Sequence, residues 1–517
     1  MVDRKMGLNR RTVLYGAAGI TGLAAVGAVA SRGGRSAHDR FVVVNNQMPT
    51  GVDYARLGTG VNSARALLEN VTEPLVDKDA AGNPKPGLAE WSFSPDGKIV
   101  EFRLRRGVLF HNGMPFTAED VLFSHERLNT YSALYRGRTK SLLRVEIVDD
   151  HRIRFHFSQP AIGFVRTRIL FIFSKGYFGQ VGEEGFSNAP VGTGPYRITD
   201  FRRFEHCDLD AFDDYWGGPP EVKRIRMAFV QEDMTRVAML RSGEADLIMA
   251  TPFPMVPVLE RHGFVRRQAD MHPTFSVRFQ LANKHTPWAD LRVRQAVAHA
   301  INSDAIIKGL FGGIPPHYAG FAPGEEGYDP SLKPYRYDPA LSRKLLAEAG
   351  YPDGFTLPLL YWSQSYYGIR ETTEAVVLYL KAIGIQCEVS AIDSTQGLTM
   401  ARSAAKDPNV RLATIAPALY ASYSDPTEAM RQGYSDLSPY SWYDDPIFNA
   451  ALRNAMNSAD QSERERYLRA CSRRLYEDLP IIPIWNNVVV YMMRPGVSYE
   501  PSARDVPLLQ LRNIRVA

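Results

Sequence analysis

Val100-Glu101-Phe102-Arg103-Leu104-Arg105 alternates apolar and charged side chains, and Thr117-Ala118-Glu119-Asp120 follows shortly after it. Period two puts Val100, Phe102 and Leu104 on one face of a strand and the charges on the other. Ser94-Pro95-Asp96-Gly97 supplies the turn that opens this strand. Thr117 is placed as the N-cap of a helix running to about Leu128. A strand with one wet face leading directly into a helix decides the class: mixed α/β. Arg103, Arg105 and Arg106 are read as solvated, not as a binding patch.

The same punctuation extends in both directions. Phe41-Val42-Val43-Val44 forms a short apolar strand, and Val145 and Ile147 pair across Asp149-Asp150 with Ile153, Phe155 and Phe157. Asp338-Pro339 starts a helix that stops at Gly350. Helices are also expected at Arg292–Ala300, at Ser303–Leu310 before Gly312-Gly313, and at Ser462–Tyr476. Strands and helices intermix without a strict alternation, which argues for several lobes. The length of 517 residues favours three domains.

Composition narrows the class. The chain is 45% hydrophobic and 23% charged, as globular proteins are. Its only long apolar run lies within residues 1–30, where Arg10-Arg11 precede Val13 to Ala30 and Ala28-Val29-Ala30 offers a cleavage point. This resembles a twin-arginine signal peptide, so the mature protein is expected in the periplasm. No cysteine follows the run, so a lipoprotein anchor is not expected. Arg4, Lys5, Arg10 and Arg11 against Asp3 account for +3 of the net +5, and the near-neutral remainder argues against a nucleic-acid partner. Cys207, Cys387 and Cys471 read as buried free thiols, with a Cys387–Cys471 bridge left open.

Catalytic signatures are missing. There is no Gly-Lys-Ser/Thr phosphate loop, His-Glu-x-x-His helix, Cys-x-x-Cys pair or Gly-x-Ser-x-Gly elbow. Gly192-Thr193-Gly194-Pro195-Tyr196 is a tight turn entering a strand, because Pro195 forbids a dinucleotide-binding helix there. His151 and His156 would lie on opposite faces of a strand, and no histidine follows His317. No catalytic residue, metal or cofactor is expected.

Ordered motifs carry a resemblance. Glu73-Pro74-Leu75-Val76, Pro86-Gly87-Leu88-Ala89-Glu90-Trp91 and Phe110-His111-Asn112-Gly113 are followed by Phe116-Thr117-Ala118-Glu119-Asp120-Val121. Pro190-Val191-Gly192-Thr193-Gly194-Pro195-Tyr196, Asp214-Tyr215-Trp216-Gly217-Gly218, Arg292-Val293-Arg294-Gln295-Ala296 and Leu345-Leu346-Ala347-Glu348-Ala349-Gly350-Tyr351 come next. In this order and spacing the chain resembles the dipeptide/oligopeptide/nickel family of extracellular solute-binding proteins, the receptors of ABC importers. The resemblance implies a two-lobed periplasmic-binding-protein type II fold with a hinge. Lobe I would comprise residues 38–60, 186–275 and 485–517, an extra domain 61–185, and lobe II 276–484. It also implies a small-molecule ligand, an ABC permease/ATPase complex of the inner membrane as partner, and a monomer.

The resemblance implies a ligand cleft as well. Trp362, Tyr366 and Tyr367 belong to one aromatic segment of lobe II, and Tyr420, Ser422, Tyr423 and Asp425 to another. Tyr and Trp offer wide contact with few rotors. From lobe I, Asn46 and Met48 follow the first strand, while Trp485 and Asn487 follow the last crossing. Arg166 and Arg168 are read as a solvated face. Peptide-binding relatives hold the ligand's ammonium with an aspartate where this chain has Ser422, and dipeptide receptors place an arginine where it has Ser365. The expected cargo is therefore a small polar solute: peptide-like, opine- or sugar-like, or a modified amino acid. The alternatives are a nickel-chelate or haem receptor, weakened by the missing late histidine, and a secreted enzyme or peptide-carrying chaperone.

Overall fold

The computed structural model describes residues 40–57, 61–79, 83–166, 168, 170–362, 368–405, 407–417, 425–458, 460–501 and 509–517. The signal segment lies outside them. The largest sheet among the described residues is mixed and ten-stranded. Phe41–Asn45 lies inside it, parallel to Arg224–Phe229 on one side and to Leu247–Ile248 on the other. Flanked on both edges and covered on both faces, this strand is apolar throughout up to Asn45, and all five residues are buried. Val42 and Val44 enter one core and Val43 another, as the pleat requires.

Two long strands pair in the middle of this sheet. Val265–Phe279 runs antiparallel to Ile481–Met493, from Val265 opposite Met493 to Arg278 opposite Ile481. Their register shifts between Asp270 and Thr274 and again between Phe275 and Ser276. The Thr356–Trp362, Gln386–Ile392 and Ala413–Pro417 strands complete the second half.

The opening stretch of sequence lies in a separate four-stranded antiparallel sheet, built from Ala89–Phe93, Ile99–Leu104, Arg152–Phe157 and Leu142–Asp149. Val100, Phe102 and Leu104 point into its aromatic core with Phe155 and Phe164. Thr117 caps the helix Ala118–Tyr131 with Asp120 as its reciprocal partner, a capping box that satisfies two orphan N–H groups. That helix passes the expected end at Leu128 by three residues. Arg105 is not merely solvated, since its guanidinium lies 4.2 Å from the ring centre of Trp216. All three cysteines are free thiols, so the Cys387–Cys471 bridge is absent.

The family motifs turn out to be fasteners. Gly192 and Gly194 pass so close to the backbone of Val71 that a Cβ on Gly192 would sit 2.0 Å from the Val71 carbonyl oxygen. His111 clasps this turn: its Nδ1 accepts the Gly192 N–H at 3.2 Å, and its Nε2 faces the Gly194 carbonyl at 2.9 Å. That arrangement needs the neutral tautomer with the proton on Nε2. Burial holds the imidazole pKa down from 6.5 to about 4, partly offset by the Gly194 carbonyl. The unfolded chain therefore binds this proton more readily, and stability should rise with pH between about 4 and 6.5. Thermal melts across that window should show a flatter slope in His111→Gln than in the parent. An unchanged slope would remove His111 as its source.

Candidate functional site: the cleft margins

Asn486, at the register shift, gathers three elements. Its Nδ2 donates to Thr274 Oγ1 at 2.9 Å, its Oδ1 accepts the Tyr318 N–H at 3.0 Å, and its own N–H reaches the Pro316 carbonyl at 2.8 Å. Beside it a cavity of about 120 Å³ is lined by Thr274, His317, Met430, Tyr434 and Asn486 among others. Its wall is mainly apolar with a few polar groups, the pattern of small-molecule pockets. Burial lowers the pKa of His317, which keeps this ring neutral near pH 7.

The expected cleft residues fall into distinct environments. Asn46 and Met48 follow the first strand as partly buried residues, and Met48 packs on the lobe I core. Trp362 closes its strand with its ring against Gly397, where a Cβ would come within 2.6 Å. Asn487 is buried on the crossing strand. Tyr366, Tyr367, Tyr420, Ser422 and Tyr423 lie outside the described residues.

Two expectations change. Trp485 fills the core instead of facing a cleft: it has no exposed surface and stacks on Phe275 at 3.8 Å and 17°. Its Nε1–H donates to Thr372 Oγ1 at 3.1 Å, which pins the crossing strand to the helix Ile369–Lys381. Asp425 is fully engaged inside lobe II. It caps the helix Pro426–Tyr434 through the Thr427 N–H at 2.9 Å and accepts from Arg464 at 2.6 Å. Burial alone would raise its pKa, but Arg464, Thr427, Lys78 and Arg166 outweigh that and hold the carboxyl well below the usual aspartate range. A ligand ammonium would have to compete with a buried guanidinium for it.

Two charged residues read as a solvated face are instead half-buried in ion pairs. Arg166 pairs with Glu326 at 2.8 Å, and Arg168 pairs with Glu69 and, at 2.9 Å, with Asp77. A further cluster, Asp200, His206 and Asp208, has metal-ligating side chains within reach of one another. Asp208, however, already accepts two hydrogen bonds from Arg226, both at 2.7 Å.

The description "Bacterial extracellular solute-binding proteins, family 5 Middle" matches residues 83–462. The chain belongs to this family. The glutathione-binding protein GsiB of Pectobacterium atrosepticum is 30% identical over 411 residues, which cover 76% of this chain and 78% of the relative. The fold is that of DppA from Helicobacter pylori, solved with the peptide STSA, at a TM-score of 0.75 and 24% identity over 92% of this chain and 98% of that one. AgaA from A. tumefaciens, solved with agropinic acid, gives a TM-score of 0.72 at 24% identity, covering 92% and 99% of the two chains. The chain is therefore a family 5 solute-binding protein with the two-lobed type II fold. Among its described residues no helix is long and apolar enough to cross a membrane.

Proposed function

We propose that this family 5 protein is the periplasmic receptor of an ABC importer, exported through its twin-arginine-type signal and acting as a soluble monomer. It captures one small polar organic solute by closing its lobes and hands it unchanged to a permease/ATPase complex in the inner membrane. A solute that touches both lobes only when they are shut stabilises the shut form by that difference in affinity. No chemistry is required of it, so mass spectrometry should recover the solute intact after incubation.

The observation that carries the ligand class is the commitment of Asp425 to Arg464 and to its helix cap. Together with Ser422 in place of the ammonium-binding aspartate, it leaves neither position 422 nor Asp425 to hold an ordinary peptide amino terminus. An unpaired ammonium in a closed cleft is costly. The reading that fits is an opine-like, sugar-like or modified amino-acid cargo, or a peptide-like one with altered termini. Glutathione, whose α-ammonium has its own α-carboxylate beside it because the peptide link uses the side-chain carboxyl, and agropinic acid are the probes nearest to that class. Calorimetric titration should give micromolar or tighter binding with one of them, and at least tenfold weaker binding of Ala-Ala and Ala-Ala-Ala. Micromolar binding of the unmodified peptides would sink the ligand class while leaving the receptor reading intact.

A further inference from the structure

Four charged side chains form a connected line from the extra domain into lobe II. Arg166 ends the short turn Ile162–Arg166 beneath the four-stranded sheet core. Its guanidinium donates to Glu326 Oε1 at 2.8 Å and to Gln461 Oε1 at 2.7 Å. The other oxygen of Glu326 accepts from Arg464 at 3.1 Å, and Arg464 donates to Asp425 at 2.6 Å. Arg464 and Asp425 are 1% and 3% exposed, and Arg166 and Glu326 are 12% and 13% exposed. A second pair spans the same boundary, Arg138 with Glu428 at 3.8 Å, and Lys78 of the extra domain adds its charge near Asp425.

We infer that Arg166 is a positioning residue for closure: it docks on Glu326 only when the lobes are shut, and through Arg464 it braces the Asp425 cap of the helix Pro426–Tyr434. The inference rests on the lobe-closing reading above. Its physical basis is the asymmetry of the two partners. With the lobes apart, Glu326 keeps Arg464 and Gln461, so lobe II holds no orphaned carboxylate. Arg166 then returns to water, where a guanidinium is well hydrated. On closure it enters a space already holding the like charge of Arg464, and burial together with that neighbour lowers its pKa. Only a correctly placed Glu326 offsets this, so the contact favours one closed register over near misses. The cargo then closes a clamp whose register is already set.

The test uses full-length mature protein with Cys387→Ser. Spin labels go on Leu143→Cys and Ile447→Cys, which are 70% and 67% exposed on the extra domain and lobe II. Double electron–electron resonance is recorded without added ligand. The parent should show a short-distance population in exchange with a longer one. Arg166→Ala should shift the short-to-long ratio by about tenfold, the size of one charge-assisted hydrogen bond, and Arg166→Lys should recover part of it. Amide exchange at Thr427 and Glu428 should quicken in Arg166→Ala with the melting temperature unchanged. A Gln461→Trp wedge serves as the opening control. If the wedge lengthens the distance but Arg166→Ala does not, the role of Arg166 is overturned and closure stands. If neither lengthens it, the lobes do not separate, and the closure reading fails with the inference.

Discussion

Replacing Asp425 by alanine is expected to cost about 4 kcal/mol, the loss typical of removing one partner from a buried ion pair. Arg464 would keep Glu326, the Ala455 carbonyl and the Thr427 hydroxyl, but its Nη2 would lose the carboxylate it now meets at 2.6 Å. The first turn of the helix Pro426–Tyr434 would lose the cap now made to the Thr427 N–H, a further loss of about 1 kcal/mol. Asp425→Asn keeps a capping oxygen and removes only the charge, so it should fall between alanine and the parent. The pH dependence follows from the depressed carboxyl pKa. A group held below its unfolded value stabilises the fold fully above the ordinary aspartate pKa of about 4 and loses that contribution as pH falls. Melting curves of the parent should therefore drop steeply on the acid side of about pH 4, and those of Asp425→Ala should drop less. Salt should change the difference little, because both charges are screened from solvent. A loss below about 1 kcal/mol would place this pair with ordinary surface bridges, contrary to its burial.

The Asp425 pair also shows where sequence reading stops. Val100, Phe102 and Leu104 declare their strand because period two is local, and Thr117 declares its helix because the capping box spans four residues. The fastening motifs are legible for the same reason: the Gly192–Gly194 turn needs glycine wherever it meets Val71. Ion-pair partners are a different matter. Glu326 stands 160 positions from Arg166, and nothing in the residues around Arg166 reveals an acid waiting there. Trp485 reads as a cleft residue because it follows a crossing, yet the side of the strand it takes is set by Phe275, Phe311 and Thr372, all remote in sequence. Burial of charge on this scale is a tertiary property. A solvated-face reading of Arg166 or Arg168 is the natural default when only composition and spacing are known.

Glu73→Ala should cost about 3 kcal/mol, from buried donors left unpaired. Two other motifs converge on this one carboxylate: it accepts the Tyr215 hydroxyl at 2.7 Å, the Trp216 Nε1–H at 2.9 Å and the Thr193 hydroxyl at 2.9 Å. Tyr215 is in turn fixed by Arg512 Nη1 at 2.7 Å, so the segment near the C-terminus joins the same knot. Burial raises the Glu73 pKa, and the donors from Trp216, Tyr215 and Thr193 with the charge of Arg512 only partly offset it. The sign is opposite to that of Asp425. A carboxyl whose folded pKa is raised contributes most below its unfolded value, and that contribution fades as pH rises through the folded value. Glu73→Gln keeps an oxygen for Trp216 and Thr193 and can turn its amide toward the Tyr215 oxygen, so it should cost less than a third of the alanine change. Its deficit should be largest in acid and shrink as pH rises, because only the parent loses the protonated carboxyl. Thermal melts of both variants across pH 4 to 8 read this directly, with alanine lowering the transition of the whole chain by about 3 °C. If alanine proved as mild as glutamine, the knot at Glu73 would be packing alone, and the convergence of two motifs on it would need another cause.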